Sequence, residues 1–195
     1  MLFLESMDTK ESTIVTFSQQ IKAQYTQLVI DENLSFSTLE TLSKQLGAKL
    51  KERGWYVTTA ESCTGGGVAA ILTEIPGSSA WVERGYVTYS NQTKHELLGV
   101  KEQTLATFGA VSAQTAAEMA QGVVAHSHSQ LGLSITGIAG PDGGSAEKPV
   151  GTVWFGWYDI NGNNQTFCHC FKGNRHQVRQ QSIATALIGC LLLID

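Results

Sequence analysis

The apolar positions of this chain switch repeatedly between a helical and a strand period. Leu39, Leu42, Leu46 and Leu50 recur at helical spacing, which predicts a helix opening at Ser37 and stopping at Gly54. Ser37-Thr38-Leu39-Glu40 has capping-box spacing, with a hydroxyl and a carboxylate each able to satisfy a free backbone N–H. Trp55 to Ala60 is aromatic and β-branched and reads as a strand. Gly65 to Ile75 reads as a small-residue helix ended by Pro76-Gly77, and Gly85 to Ser90 as a second strand feeding a helix with Asn91 as its cap. Ser112 is placed to cap a helix running to about His126, and Leu131 to Thr136 is a short apolar strand.

The C-terminal third continues the pattern. Val150 to Ile160 and Gln165 to Phe171 flank Asn161-Gly162, a hairpin signal. Asn174 can cap a last helix whose Val178, Ile183, Leu187 and Leu191 face inward. Strands alternating with helices, plus one hairpin, predict an α/β domain with a mixed sheet over residues 37–195. Residues 1–36 differ. They hold one weaker helical stretch, Thr13 to Ile30, with Ile14, Phe17, Ile21 and Tyr25 on one face. That stretch reads as a leader, helical or partly mobile, and without chemistry of its own.

Composition narrows the function classes. Of the 195 residues, 42% are hydrophobic and 15% charged, enough to build a core and against global disorder. Thirteen basic and seventeen acidic side chains give a formal net charge of −4, which argues against a general nucleic-acid binder. No apolar run reaches the ~18 residues of a membrane span, and Glu5 and Asp8 interrupt any secretory leader. Cys63, Cys168, Cys170 and Cys190 are dispersed and read as reduced thiols of a cytoplasmic protein rather than a disulfide framework.

Two glycine-rich segments follow predicted strands: Ala60-Glu61-Ser62-Cys63-Thr64-Gly65-Gly66-Gly67 and Thr136-Gly137-Ile138-Ala139-Gly140-Pro141. Each could be a tight turn that needs φ > 0. For one such segment alone the tight turn is favoured over a seat for a phosphate or carboxylate on free N–H groups at a helix start. Two such segments at strand ends in one domain shift the balance toward a ligand crevice. Ser62 sits where a nucleophile would on a strand-to-helix turn, without the flanking glycines of the hydrolase elbow, and position alone favours a helix cap there. Lys94 lies one helical turn beyond the second strand. A lone helical lysine is ordinarily a solvated charge, so local pattern does not nominate it, and no histidine pattern nominates a base either. Cys168-His169-Cys170 invites a metal reading, but strand alternation sends the thiols to one face and the imidazole to the other. Two thiols packed as small apolar groups fit better.

Several motifs occur together in order: TAESCTGG (Thr59 to Gly66), PGSS (Pro76 to Ser79), VTYSNQTK (Val87 to Lys94), GAVS (Gly109 to Ser112), TGIAGPDGG (Thr136 to Gly144), KPVGTV (Lys148 to Val153) and GNRHQVRQQ (Gly173 to Gln181). On these the chain closely resembles the CinA C-terminal domain family of nicotinamide-mononucleotide (NMN) amidohydrolases, from Ser37 to the end. The resemblance implies a three-layer α/β/α sandwich around a mixed sheet. It implies hydrolysis of the NMN carboxamide to nicotinate mononucleotide and ammonia in pyridine-nucleotide salvage. It assigns the nucleophile to Ser62 and its partners to Lys94 and Tyr89. Substrate contacts are expected from Thr64, Gly65, Gly66 and Asn91, from Thr136, Gly137, Ile138, Ala139 and Gly140, and from Arg175. Many relatives carry a further N-terminal domain, for which 36 residues are too few, so a stand-alone amidase is expected.

The chemistry that fits these residues is acyl transfer. Neutral Lys94, directly or through Tyr89, would take the Ser62 proton, and N–H groups near Thr64 and Gly65 would hold the oxyanion. Burial, Arg175 and the cationic pyridinium would all lower the lysine pKa. Arg175 and one glycine turn would hold the 5′-phosphate. No metal or other cofactor is required, and no membrane or nucleic-acid partner is expected. Homo-oligomerisation is left open, as are Cys63 as the nucleophile and a non-catalytic nucleotide-binding module of the same fold.

Overall fold

The computed structural model describes residues 17–28 and 34–195. Helix α1 (17–28) and helix α2 (Phe36–Arg53) precede strand β1 (Val57–Glu61) and helix α3 (Gly67–Thr73). A short 3-10 turn (Ser78–Ala80) leads to β2 (Val82–Val87), α4 (Asn91–Leu98), α5 (Glu102–Phe108) and α6 (Ala113–Ala125). Strands β3 (Leu131–Gly137), β4 (Thr152–Asp159) and β5 (Asn164–Cys170) come next, and α7 (Arg175–Leu193) is last.

The five strands form one sheet in the order β2-β1-β3-β4-β5. β2, β1 and β3 run parallel, and β4 and β5 are added antiparallel. Strand alternation sorts side chains onto two unlike faces. Leu131, Leu133, Ile135, Val153, Phe155 and Trp157 join the larger core with residues of α2, α3 and α7. The opposite face is small: Cβ atoms at Gly132 and Gly156 would run into backbone carbonyls of α6, and Ser134 Oγ donates to the Ala116 carbonyl (2.6 Å). Helix α6 therefore lies tight against that face, and the result is the expected three-layer α/β/α sandwich.

Helix α7 packs just as closely on the other side. A Cβ at Gly189 would collide with the Trp157 indole, whose Nε1 donates to the Ala186 carbonyl (3.0 Å). Helix α1 lies over the β4–β5 end of the same layer. Phe17 meets Trp157 edge-on at 5.5 Å, Ile21 is fully buried, and Tyr25 packs on Phe171 while its hydroxyl donates to Gln181 (2.6 Å). Ile14 and the rest of the expected 13–30 helix outside 17–28 fall beyond the described residues.

Several expected boundaries move. The α2 cap is Ser35, whose hydroxyl accepts from Thr38 N–H, not Ser37, which lies inside the first turn. The α4 cap is Ser90, in a reciprocal capping box with Thr93, and Asn91 is the first helical residue. β2 spans Val82–Val87 rather than 85–90, because Gly85 sits within the strand, where the Ala69 methyl leaves no room for a Cβ. Helix α5 carried no signal in the sequence, since its cap position, Lys101, makes no side-chain cap bond. Ser112 and Asn174 cap α6 and α7 as expected. His169 on β5 and Phe171 just beyond it pack on Tyr25 of α1, and Phe167 stacks on His169. Cys170, on the other face, is exposed and not packed, while Cys168 is half-buried.

Candidate active site

Three loops meet at the carboxyl ends of β2, β1 and β3, the edge where open α/β sheets hold ligands. β1 ends at Glu61, and Ser62 still donates its N–H to the Ile135 carbonyl of β3 (2.9 Å). The chain then turns sharply. Gly65 N–H donates to the Ser62 carbonyl (3.0 Å) and Gly67 N–H to the Thr64 carbonyl (3.1 Å). Gly65 and Gly66 hold φ of 57° and 89°, left-handed values that an L side chain resists.

This turn does not leave an open helix start. The buried Glu61 carboxylate accepts from Val68 N–H (3.0 Å) and Ala69 N–H (2.8 Å), so the first N–H groups of α3 are taken. A phosphate seat at α3, one expectation for the first glycine cluster, is thereby removed. The Gly65 N–H is likewise engaged and cannot serve an oxyanion. Among the described residues, the N–H groups of Cys63, Thr64 and Gly66 have no backbone or side-chain oxygen partner.

Lys94 comes to this turn from α4. It is 1% exposed, and its Nζ donates to Ser62 Oγ (3.1 Å) and to the Thr88 carbonyl (2.8 Å). Burial lowers its pKa from 10.5 to about 8, opposed only by the nearby Cys63 thiol. Desolvation is the cause, as the sequence reading expected of burial, and Arg175, also expected to contribute, is not among the causes. Burial also pushes the Cys63 thiol up to about 12, which holds it protonated and weakly nucleophilic.

Tyr89 is elsewhere. Its ring is 63% exposed and its hydroxyl accepts from Arg175 Nη2 (3.3 Å), while Arg175 Nη1 donates to the Gly140 carbonyl (3.0 Å). Among the described residues Tyr89 makes no hydrogen bond to Lys94 or Ser62, so the geometry offers the direct route and not the relay. In the β3–β4 loop, Thr136 Oγ1 donates to the Ala110 carbonyl (2.7 Å) and Ile138 N–H to the Thr152 carbonyl (2.9 Å). Thr136 and Ala139 are buried, and this loop is tied to the β2–α4 loop through Arg175, which bridges the Gly140 carbonyl and the Tyr89 hydroxyl. The Gly137 backbone is still in β3, and Asn91 is exposed at the start of α4. Thr64 is fully buried, its Oγ1 without a partner among the described residues.

Local sequence pattern missed Glu61, Thr88 and Arg179. Thr88 acts through its carbonyl, which no side-chain pattern can reveal. Arg179 Nη2 donates to the Thr64 carbonyl (2.6 Å), and its spacing of four from Arg175, which puts both on one helical face, was the available signal. Among the described residues no group of three or more His, Cys, Asp or Glu could hold a metal ion, and no helix is long and apolar enough to cross a membrane.

Comparison with known proteins gives a consistent picture. The nicotinamide-nucleotide amidohydrolase PncC of Escherichia coli K12 is 56% identical over 151 residues, covering 77% of this chain and 92% of that protein. The protein of the same name from Enterobacter agglomerans is 54% identical over 154 residues, covering 79% and 94%. The crystal structure of competence/damage inducible protein CihA from Agrobacterium tumefaciens superposes with a TM-score of 0.75 at 47% identity, covering 76% of this chain and 91% of that one. The model of the CinA C-terminal domain matches residues 39–193, which takes in every loop of the site and leaves helix α1 outside. The chain belongs to the CinA C-terminal domain family.

Proposed function

We propose that this protein is a nicotinamide-nucleotide amidohydrolase, converting NMN and water to nicotinate mononucleotide and ammonia with Ser62 as nucleophile and Lys94 as base. The observation that carries the reading is the buried Lys94 Nζ within 3.1 Å of Ser62 Oγ. The printed names of the relatives support the substrate class.

Neutral Lys94 accepts the Ser62 proton as Oγ attacks the carboxamide carbon. The negative charge on the carbonyl oxygen falls to the N–H groups of Cys63 and Thr64, which have no oxygen partner among the described residues, each such donor being worth about 3–4 kcal/mol. The Lys94 ammonium returns its proton to the departing nitrogen, which leaves as ammonia. Water, deprotonated by the same lysine, then hydrolyses the nicotinoyl ester. The pyridinium charge makes the carbonyl more electrophilic and further favours the neutral lysine. Arg175, between the β2–α4 and β3–β4 loops, is the group proposed for the 5′-phosphate.

The test is incubation of the purified protein with NMN, following ammonia and nicotinate mononucleotide together. Stoichiometric formation of both supports the reading. Absence of both across pH 6–10, with NMN binding retained, would leave a nucleotide-binding module of the same fold.

A further inference from the structure

We infer that Arg179 is a positioning residue for this reaction, acting through two peptide groups of the nucleophile turn on the Cys63 N–H that receives the oxyanion. The inference rests on the amidohydrolase reading above.

The path can be followed atom by atom. Arg179 Nη2 donates to the Thr64 carbonyl (2.6 Å). That carbonyl shares a peptide group with the Gly65 N–H, which donates to the Ser62 carbonyl (3.0 Å). The Ser62 carbonyl in turn shares its peptide group with the Cys63 N–H, which has no oxygen partner among the described residues and faces only its own thiol sulfur, a weak acceptor. A guanidinium therefore heads a series of hydrogen-bonded amides whose positive end lies immediately after the nucleophile, where an acyl-transfer site needs an oxyanion donor. Hydrogen bonds in series polarise one another, by about 10–30% per bond.

Two further observations give this series its weight. The Glu61 carboxylate occupies the Val68 and Ala69 N–H groups, so the positive end of α3 is spent on an internal anion. The cation that remains at the turn on the α7 side is Arg179. Its placement is also fixed: Ile183, one helical turn further along α7, packs so closely on the start of α3 that a Cβ at Gly67 would overlap it. The side chain is thus held by backbone proximity of two helices and by its own bond to the turn.

The experiment compares Arg179→Lys and Arg179→Met with the unaltered protein. Readouts are NMN turnover, affinity for pyridine-3-boronic acid as a tetrahedral mimic, affinity for nicotinate mononucleotide as a ground-state ligand, and thermal midpoint. In Arg179→Met, kcat falls about tenfold or more with KM within about threefold, since only the transition-state oxygen uses the donor. Boronate affinity falls in parallel and product affinity does not. Arg179→Lys keeps the charge and recovers part of the loss, and millimolar guanidinium partly restores kcat in Arg179→Ala. Unchanged kcat in Arg179→Met, or equal losses in boronate and product affinity, would overturn the inference and leave Arg179 as a brace. If the variant is too unstable to assay, Arg179→Lys and guanidinium rescue of Arg179→Ala decide by the same readouts. Failure of the unaltered protein to turn over NMN would instead overturn the amidohydrolase reading, so the two failures are separable.

Discussion

Lys94 Nζ and Ser62 Oγ, 3.1 Å apart, are joined from opposite sides of the first parallel crossover, with Lys94 also donating to the Thr88 carbonyl at 2.8 Å. Both acceptors are neutral oxygens, and no carboxylate pairs with the ammonium among the described residues. A buried lysine so placed is easier to deprotonate and harder to keep charged, which is what a base needs and what a structural ion pair avoids.

The first consequence concerns which atom attacks. Ser62→Ala is expected to lower kcat by about a thousandfold or more with NMN affinity roughly unchanged. Cys63→Ala retains most activity, because the thiol is buried and held protonated. Rates and NMN binding measured on the two variants decide it, and the reverse pattern would move the nucleophile to Cys63.

The second concerns proton transfer. With Lys94 near pKa 8, kcat/KM should rise about tenfold per pH unit below that value and level off above it. Lys94→Arg keeps a cation that cannot give up its proton at these pH values, so turnover and the rising limb both disappear. A pH–rate profile of the two proteins is the measurement, and near-normal turnover by Lys94→Arg would make lysine an electrostatic group only.

Stability should carry the same ionisation. The folded-state pKa lies below the ordinary 10.5, so the unfolded chain binds the extra proton between about 8 and 10.5 and stability rises with pH through that window. Below about pH 8 the buried ammonium is a standing cost. Lys94→Met therefore gains up to about 3 kcal/mol at pH 7, and the gain shrinks toward zero near pH 10.5. Urea unfolding at pH 7 and pH 10 reads the difference directly.

For Arg175, the Tyr89 and Gly140 contacts use one proton of each terminal nitrogen, leaving others for a phosphate. Arg175→Ala should raise KM for NMN by the worth of a charge-assisted contact, about 2–3 kcal/mol. Nicotinamide riboside, lacking the phosphate, should be affected little. Steady-state kinetics with both substrates separate phosphate binding from loop bracing, since loss of a brace would affect the two alike.

Legibility in the sequence followed the range of the interaction. The Ser112 and Asn174 caps, the Asn161-Gly162 hairpin and the turn after β1 depend on neighbours a few positions away, and local pattern located them. Ser35 displaced Ser37 as a cap because adjacent hydroxyls offer the same chemistry and only the backbone path chooses between them. Lys94 could not be nominated locally: its burial comes from β2, α4 and the Ser62 turn closing together, and only the family resemblance pointed to it. Arg179 lies 115 positions from the carbonyl it holds, a pairing that exists only once α7 is packed on α3.

The contact between Gly189 and Trp157 makes α7 a lever. Ten residues of helix separate Gly189 from Arg179, a span of about 15 Å. Any side chain at Gly189 must push against the indole, and a tilt of about 5° pivoting there carries the far end through roughly 1 Å. A displacement of that size at a reacting centre can cost about a hundredfold in rate. Close packing deep in the core is in this sense the calibration of the turn after β1, and drift at a residue far from the site would register first as lost rate.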